Sequence, residues 1–134
     1  PPPHTAGSRH QAHLYLVALS DHRAVLLFYL GLSRASAMSS SIIEAMRSNP
    51  TGNYNIGKTC SAAAVTGSDA RANDQVAWLN AMKSTIGSGV GDTTTCGEIS
   101  GCPGACVIRV YWDDSRAGGD QGGAARVVET RTRI

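Results

Sequence analysis

Aromatic side chains are scarce in this sequence: one Phe, two Trp and four Tyr among 134 residues. So few large apolar rings make for a thin core, and a thin core in one small domain needs outside support. Charge is sparse as well. Asp, Glu, Lys and Arg make up 16% of the chain, the net charge is +2, and the basic residues stand singly. That scatter excludes the basic tract on which nucleic-acid binding rests, so no nucleic-acid partner is expected. Histidine is missing after residue 22, because His4, His10, His13 and His22 all fall near the start. The rest of the chain therefore lacks the base of a Ser/His or Cys/His nucleophile pair. The longest apolar run, AVLLFYLGL over residues 24–32, has nine residues. A spanning helix needs roughly 20. The chain opens Pro1-Pro2-Pro3 with neither methionine nor a signal-peptide pattern, and reads as a processed product or fragment.

Glycine and cysteine are what the chain does have. Cys60, Cys96, Cys102 and Cys106 all lie beyond residue 50. An even number in a small loop-rich domain favours disulfides and an oxidising compartment, with three pairings open. A zinc site is the rival, since Cys102 and Cys106 are spaced CPGAC with Cys96 close by. Paired CxxC knuckles are lacking, however, and Cys60 would stand alone as the fourth ligand. Redox chemistry at CPGAC is disfavoured by its three intervening residues and by the strand that follows.

The hydrophobic pattern predicts a single α+β domain over residues 11–134, after a poorly ordered, proline-led head at residues 1–10. One long helix is expected over about 11–48, bent near Gly31. Leu32, Ala35, Met38, Ile42 and Met46 form its stripe. Arg47 suits the C-terminal dipole, Asn49 can take a left-handed cap, and Pro50 stops the helix. Residues 51–72 read as loop. A second helix follows from about Asn73, as N-cap, to Ile86, with Val76, Leu79, Met82 and Ile86 on one face and Trp78 alongside. Residues 87–105 read as a glycine- and threonine-rich loop, with GSGVG a linker lacking the lysine of a phosphate loop. A strand spans Cys106–Trp112, with Ile108, Val110 and Trp112 on one face and Val107, Arg109 and Tyr111 on the other. A closing strand spans Arg126–Ile134. Two strands are marginal alone, so at least one more is expected within residues 51–66 or 87–100.

Candidate chemistry is thin. His10 and His13 share a helical face and could chelate a metal, but they sit in the head. Asp113, Asp114 and Asp120 flank a glycine-rich turn that could hold calcium, yet the spacing fits ordinary turn chemistry better. No catalytic, cofactor or metal residue is assigned. The long helix is the remaining candidate, because residues 14–32 outreach what the later segments can cover. Leu32, Ala35, Met38, Ile42 and Met46, with Leu79 and Trp112, are expected to form the helix–sheet core. Leu14, Ala18, Val25 and Phe28 are expected to face partner helices or to adjoin a lost membrane anchor.

Taken together, SRASAMSSSIIEAMRSNP, Tyr54, the run DQVAWL over residues 74–79, VIRVYWDDSR and VVETRTRI resemble the PilV-type minor pilins of type IV pili, across about residues 32–134. The resemblance implies a pilin fold: a long N-terminal helix on a four-stranded antiparallel sheet, with cysteine-stapled loops. It also implies an assembly subunit, not an enzyme, at the periplasmic face of the inner membrane of a Gram-negative bacterium and at the pilus tip. Its partners would be other minor pilins, the major pilin and a tip adhesin. The start of the chain departs from the family: no leader junction and no apolar first half of the helix are present. A soluble form without its inner-membrane anchor is therefore expected. A type II secretion minor pseudopilin and, from another class, a small secreted metal-binding or hydrolytic protein are the alternatives.

Overall fold

A single helix of 41 residues, α1 (Ser8–Ser48), leads the fold, and the chain beyond it sets a second helix and one small sheet against its C-terminal half. The computed structural model describes the backbone of residues 8–113 and 125–134, and side chains from residue 25 onward within those spans. The expectations for His4, Asp114 and Asp120, and for the side chains of His10, His13, Leu14, Ala18 and His22, lie outside the described residues.

With no proline and one glycine in its length, α1 runs unbroken for about 60 Å at 1.5 Å per residue. It ends with Arg47 in its last turn, and Asn49 N–H donates to the Met46 carbonyl at 3.1 Å. Asn49 is not the left-handed cap expected of it: no described residue other than glycine has a positive φ. Its side chain is engaged elsewhere, donating to Tyr54 Oη at 3.0 Å, while Gly52 N–H returns to the Asn49 carbonyl. The chain thus leaves α1 by a tight turn that Pro50 permits.

Four strands follow: β1 (Ile56–Thr59), β2 (Cys96–Ser100), β3 (Cys106–Asp113) and β4 (Ala125–Thr132). They form an antiparallel meander in the order β1-β2-β3-β4. Both segments suspected of hiding a strand supply one, so the loop expected over 87–105 gives way to β2 at its centre. Cys96, Gly97 and Ile99 are buried there, and β2 pairs Ile99 with Ile108 of β3. Strong pairing to β3 overrode a composition that reads as loop. The closing strand ends at Thr132, two residues short of the expected Ile134.

The second helix, α2 (Ala70–Thr85), begins before Asn73. Asp69 is its N-cap, accepting from Ala72 N–H at 3.0 Å. Asp and Asn are equally good caps, and nothing between 70 and 73 breaks a helix, so the earlier one prevails. At the other end Arg34 donates from α1 to the Thr85 carbonyl at 3.0 Å, a cation placed on the negative end of α2.

The core lies between the helices and one face of the sheet. Ala35, Ile42, Ile43 and Met46 of α1 meet Trp78, Leu79 and Met82 of α2 and Ile99, Ile108, Val110 and Trp112 of the strands. Trp78 is the joint among the three. Its Nε1 donates to the Met38 carbonyl at 2.9 Å, and its ring lies over Gly97, where an added Cβ would stand 2.5 Å from ring carbon. Glycine in β2 is therefore a packing requirement, not a loop signal.

Candidate interaction surface

The burial of α1 divides it. Ala35, Ile42 and Met46 are buried and Leu32 and Met38 pack partly against the core. Leu79 and Trp112, the other two residues assigned to the helix–sheet core, are also buried. N-terminal to this zone, Val25 and Phe28 are half-buried, whereas Leu26, Leu27, Tyr29 and Leu30 are exposed, Tyr29 by 60%. Six consecutive apolar residues, 25–30, put hydrophobic surface on every side of the helix, a pattern suited to surroundings that are apolar all round.

Phe28 is placed differently from the expectation that it faces a partner. It lies on the stripe that continues to Leu32 and Ala35 and so turns toward β4, where the Arg126 guanidinium sits 5.0 Å from its ring centre. One turn on, Gly31 lets the Trp112 indole rest against the helix backbone; a Cβ there would be 3.2 Å from Trp112 Nε1. That N–H is buried and finds no hydrogen-bond partner among the described residues. Gly31 thus serves close packing. By length and composition alone, Val25–Ser48 would qualify as a membrane-crossing helix, which counting consecutive apolar residues misses. Core helices of soluble domains pass the same test, and from Ala35 onward this is a core helix.

Below α1 the loops are held by polar contacts. Tyr54 is buried, donates to Asp74 Oδ2 at 2.5 Å, and accepts from Asn49. Burial, then the Asp74 carboxylate, push the Tyr54 phenol above its ordinary range, so it stays a neutral donor. Gln75 Nε2 donates to the Tyr54 carbonyl, and Gln75 Oε1 accepts from Arg71. A cleft of about 300 Å³ opens here, lined among others by Met46, Pro50, Tyr54, Asn55, Cys102 and Pro103. The Asn55 amide clasps Cys102 through both its N–H and its carbonyl.

Cys60 bonds to Cys96 and Cys102 to Cys106, so no cysteine is left as a thiolate for zinc. The first tether joins the chain after β1 to β2 across 36 residues; the second closes the short loop before β3. Among the described residues no group of three or more His, Cys, Asp or Glu side chains is arranged to hold a metal ion.

Sequence reasoning missed the turn around Asp92. This buried carboxylate accepts from the N–H groups of Ser88, Thr94 and Thr95 and from the hydroxyls of Thr94 and Thr95, at 2.6–3.1 Å. Burial alone would raise its pKa, but the hydroxyl and backbone donors outweigh it and hold the carboxyl far below the usual range. Five donors also occupy its lone pairs. The signal was legible as Asp followed by Thr two and three residues on, an Asx-turn pattern.

The outer face of the sheet carries an ion lattice. Tyr111 donates to Glu98 at 2.5 Å under Lys58, and Arg109 lies between Glu98 and Glu129. Arg131 closes on Glu129 at 2.7 Å, and Arg131, then Arg109, keep that carboxyl below its ordinary range.

No family model, curated protein or solved structure matches this chain.

Proposed function

We propose that the chain is a minor pilin, a structural subunit that primes type IV pilus assembly and sits at the pilus tip among other minor pilins. The observation that carries the reading is the divided α1: a helix locked to a sheet over residues 35–46 and apolar on every side over residues 25–30. A continuous helix transmits the position of this apolar segment rigidly to the domain at its foot. That is the mechanical need of a subunit packed through helices and recognised through loops. A four-stranded antiparallel sheet with two disulfide-tethered loops is compatible with the same family. The proposed partners of residues 25–30 are helices of the major pilin and other minor pilins, with the loops left to meet neighbouring tip subunits or an adhesin. The working compartment is then the periplasm and pilus tip.

The test is genetic and counts filaments. Removing the gene from its host should sharply lower the number of surface pili, and the wild-type gene should restore it. A Leu26→Glu, Leu30→Glu gene should not restore it, although the protein folds. Unchanged piliation in the deletion strain would defeat the proposal; a loss of protein secretion with normal pili would transfer it to the type II secretion pseudopilins.

A further inference from the structure

Strand β4 is the outer strand of the meander, and β3 covers only one of its sides. Among the described residues no other strand pairs with this eight-residue edge, and Val127 is 52% exposed. Beside that edge runs a groove of about 290 Å³ between α1 (Ser40, Ile43, Glu44, Arg47) and β4 (Thr130, Arg131, Thr132). We propose that this edge pairs with the β4 edge of a second copy of the chain, antiparallel and centred on Thr130.

Charge favours the partner and disfavours two of the neighbouring registers. In a continuous sheet opposed residues share a face, so a two-fold pairing of β4 must be centred on a residue, not between two. The pattern of partners on β3 puts Val127, Glu129 and Arg131 on the outer face, with Tyr111, Arg109 and Val107. Centring on Glu129 sets that carboxylate against its own copy, and centring on Arg131 sets two guanidinium groups together. Centring on Thr130 sets Glu129 opposite the second copy's Arg131, and Arg131 opposite its Glu129. Opposite charges directly across a strand pair are favourable and like charges are not. Arg131 is 70% exposed on its side chain, so the pairing would exchange its contact with its own Glu129 for one with a neighbour's.

The helices agree with this arrangement. α1 packs over both β3 and β4, so it stands about one strand spacing from the proposed axis. Two such helices related by the axis would lie about 10 Å apart, the ordinary separation of packed helices. The exposed side they would present, Ser36 and Ser40 with Glu44 and Arg47, carries both signs of charge. One eight-stranded sheet with two antiparallel helices on its inner face is the predicted product. It does not depend on the pilin reading.

Sedimentation equilibrium over a concentration series tests it. The wild-type chain should approach twice its 14.0 kDa mass. Glu129→Arg or Arg131→Glu alone should weaken association by about tenfold or more, since each creates two like-charge contacts at once. The double variant E129R/R131E should recover it. Because E129R also sets an arginine beside Arg109, a second arm uses oxidation. Thr130→Cys should cross-link to its own copy, as directly opposed residues lie about 5 Å apart, within disulfide reach. Thr132→Cys, which would face Val128, should not. A wild-type chain that stays monomeric at every concentration overturns the proposal. So does a dimer indifferent to both charge swaps and lacking the Thr130→Cys cross-link.

Discussion

Two segments of α1 have opposite fates. From Ala35 to Met46 the helix is held by a sheet, by α2 and by the Trp78 hydrogen bond to the Met38 carbonyl; from Val25 to Leu30 most of its apolar surface is bare. Composition differs between them, and so does reach. β3, eight residues long, covers about 27 Å of a helix more than twice that length. The buried part uses a narrow stripe with serines on its far side, as a helix with one covered face should, whereas the bare part is apolar all round. The segment over residues 35–46 is specified by its own domain, and that over residues 25–30 is left for whatever it meets.

The largest effect should come from charging the buried half. Met46 is 2% exposed among Ile42, Tyr54 and the Cys102 sulfur, whose Sγ lies 3.8 Å from Met46 Sδ. Met46→Asp places an unpaired carboxylate there and should cost about 5 kcal/mol or abolish folding. A thermal melt reads it directly, and an unchanged midpoint would mean that the foot of α1 is not packed as described.

Next in size are the tethers that support this thin core. Constraint of the unfolded chain grows with the loop closed, so removing Cys60–Cys96, with a 36-residue separation, should cost about 4 kcal/mol. Removing Cys102–Cys106, with a separation of 4, should cost about 2 kcal/mol. Paired Cys→Ser variants compared by urea titration give the order. The reverse order would show that the short loop, clasped by Asn55 and by Ile134 N–H on the Pro103 carbonyl, matters more as packing than as tether.

Much of this was legible in the sequence, and the gaps have physical causes. Alternation in VIRVYW gave β3 its faces, and the period of α1 located its stripe, because both elements bury one side only. β2 was hidden because its buried face includes Gly97, chosen for the Trp78 ring, so its composition mimics a loop. The N-terminus of α2 was misplaced because two good capping residues lie four apart. The facing of Phe28 needed the position of Arg126, and the disulfide pairing needed the sheet. Neither is encoded locally.

A smaller effect tests the turn that leads into β2. The Asp92 carboxyl titrates lower in the folded chain than in the unfolded one, where about 3.9 is normal, so the unfolded chain takes up the proton first. Its stabilisation is therefore complete above about pH 4 and fades as the pH falls further. Asp92→Asn should cost about 2 kcal/mol at neutral pH and flatten the acid limb of the stability curve. An acid limb as steep in the variant as in wild type would place the acid sensitivity elsewhere, with Glu129 and its two arginines the next group to examine.

The smallest effect is the one that separates the two halves of α1 most cleanly. Leu30 is 43% exposed and Leu26 54%, one helical turn apart. Both are exposed among the described residues and Glu is a good helix former, so with both changed to Glu stability should stay within about 0.5 kcal/mol of wild type. The same chemistry that ruins the fold at Met46 should therefore pass unnoticed here in a melt of the isolated chain. A large loss of stability would mean that residues 25–30 are already covered, and that the overhang is part of the core. An unaltered melt leaves an apolar surface that the fold does not use, which is the condition for assigning it to another helix.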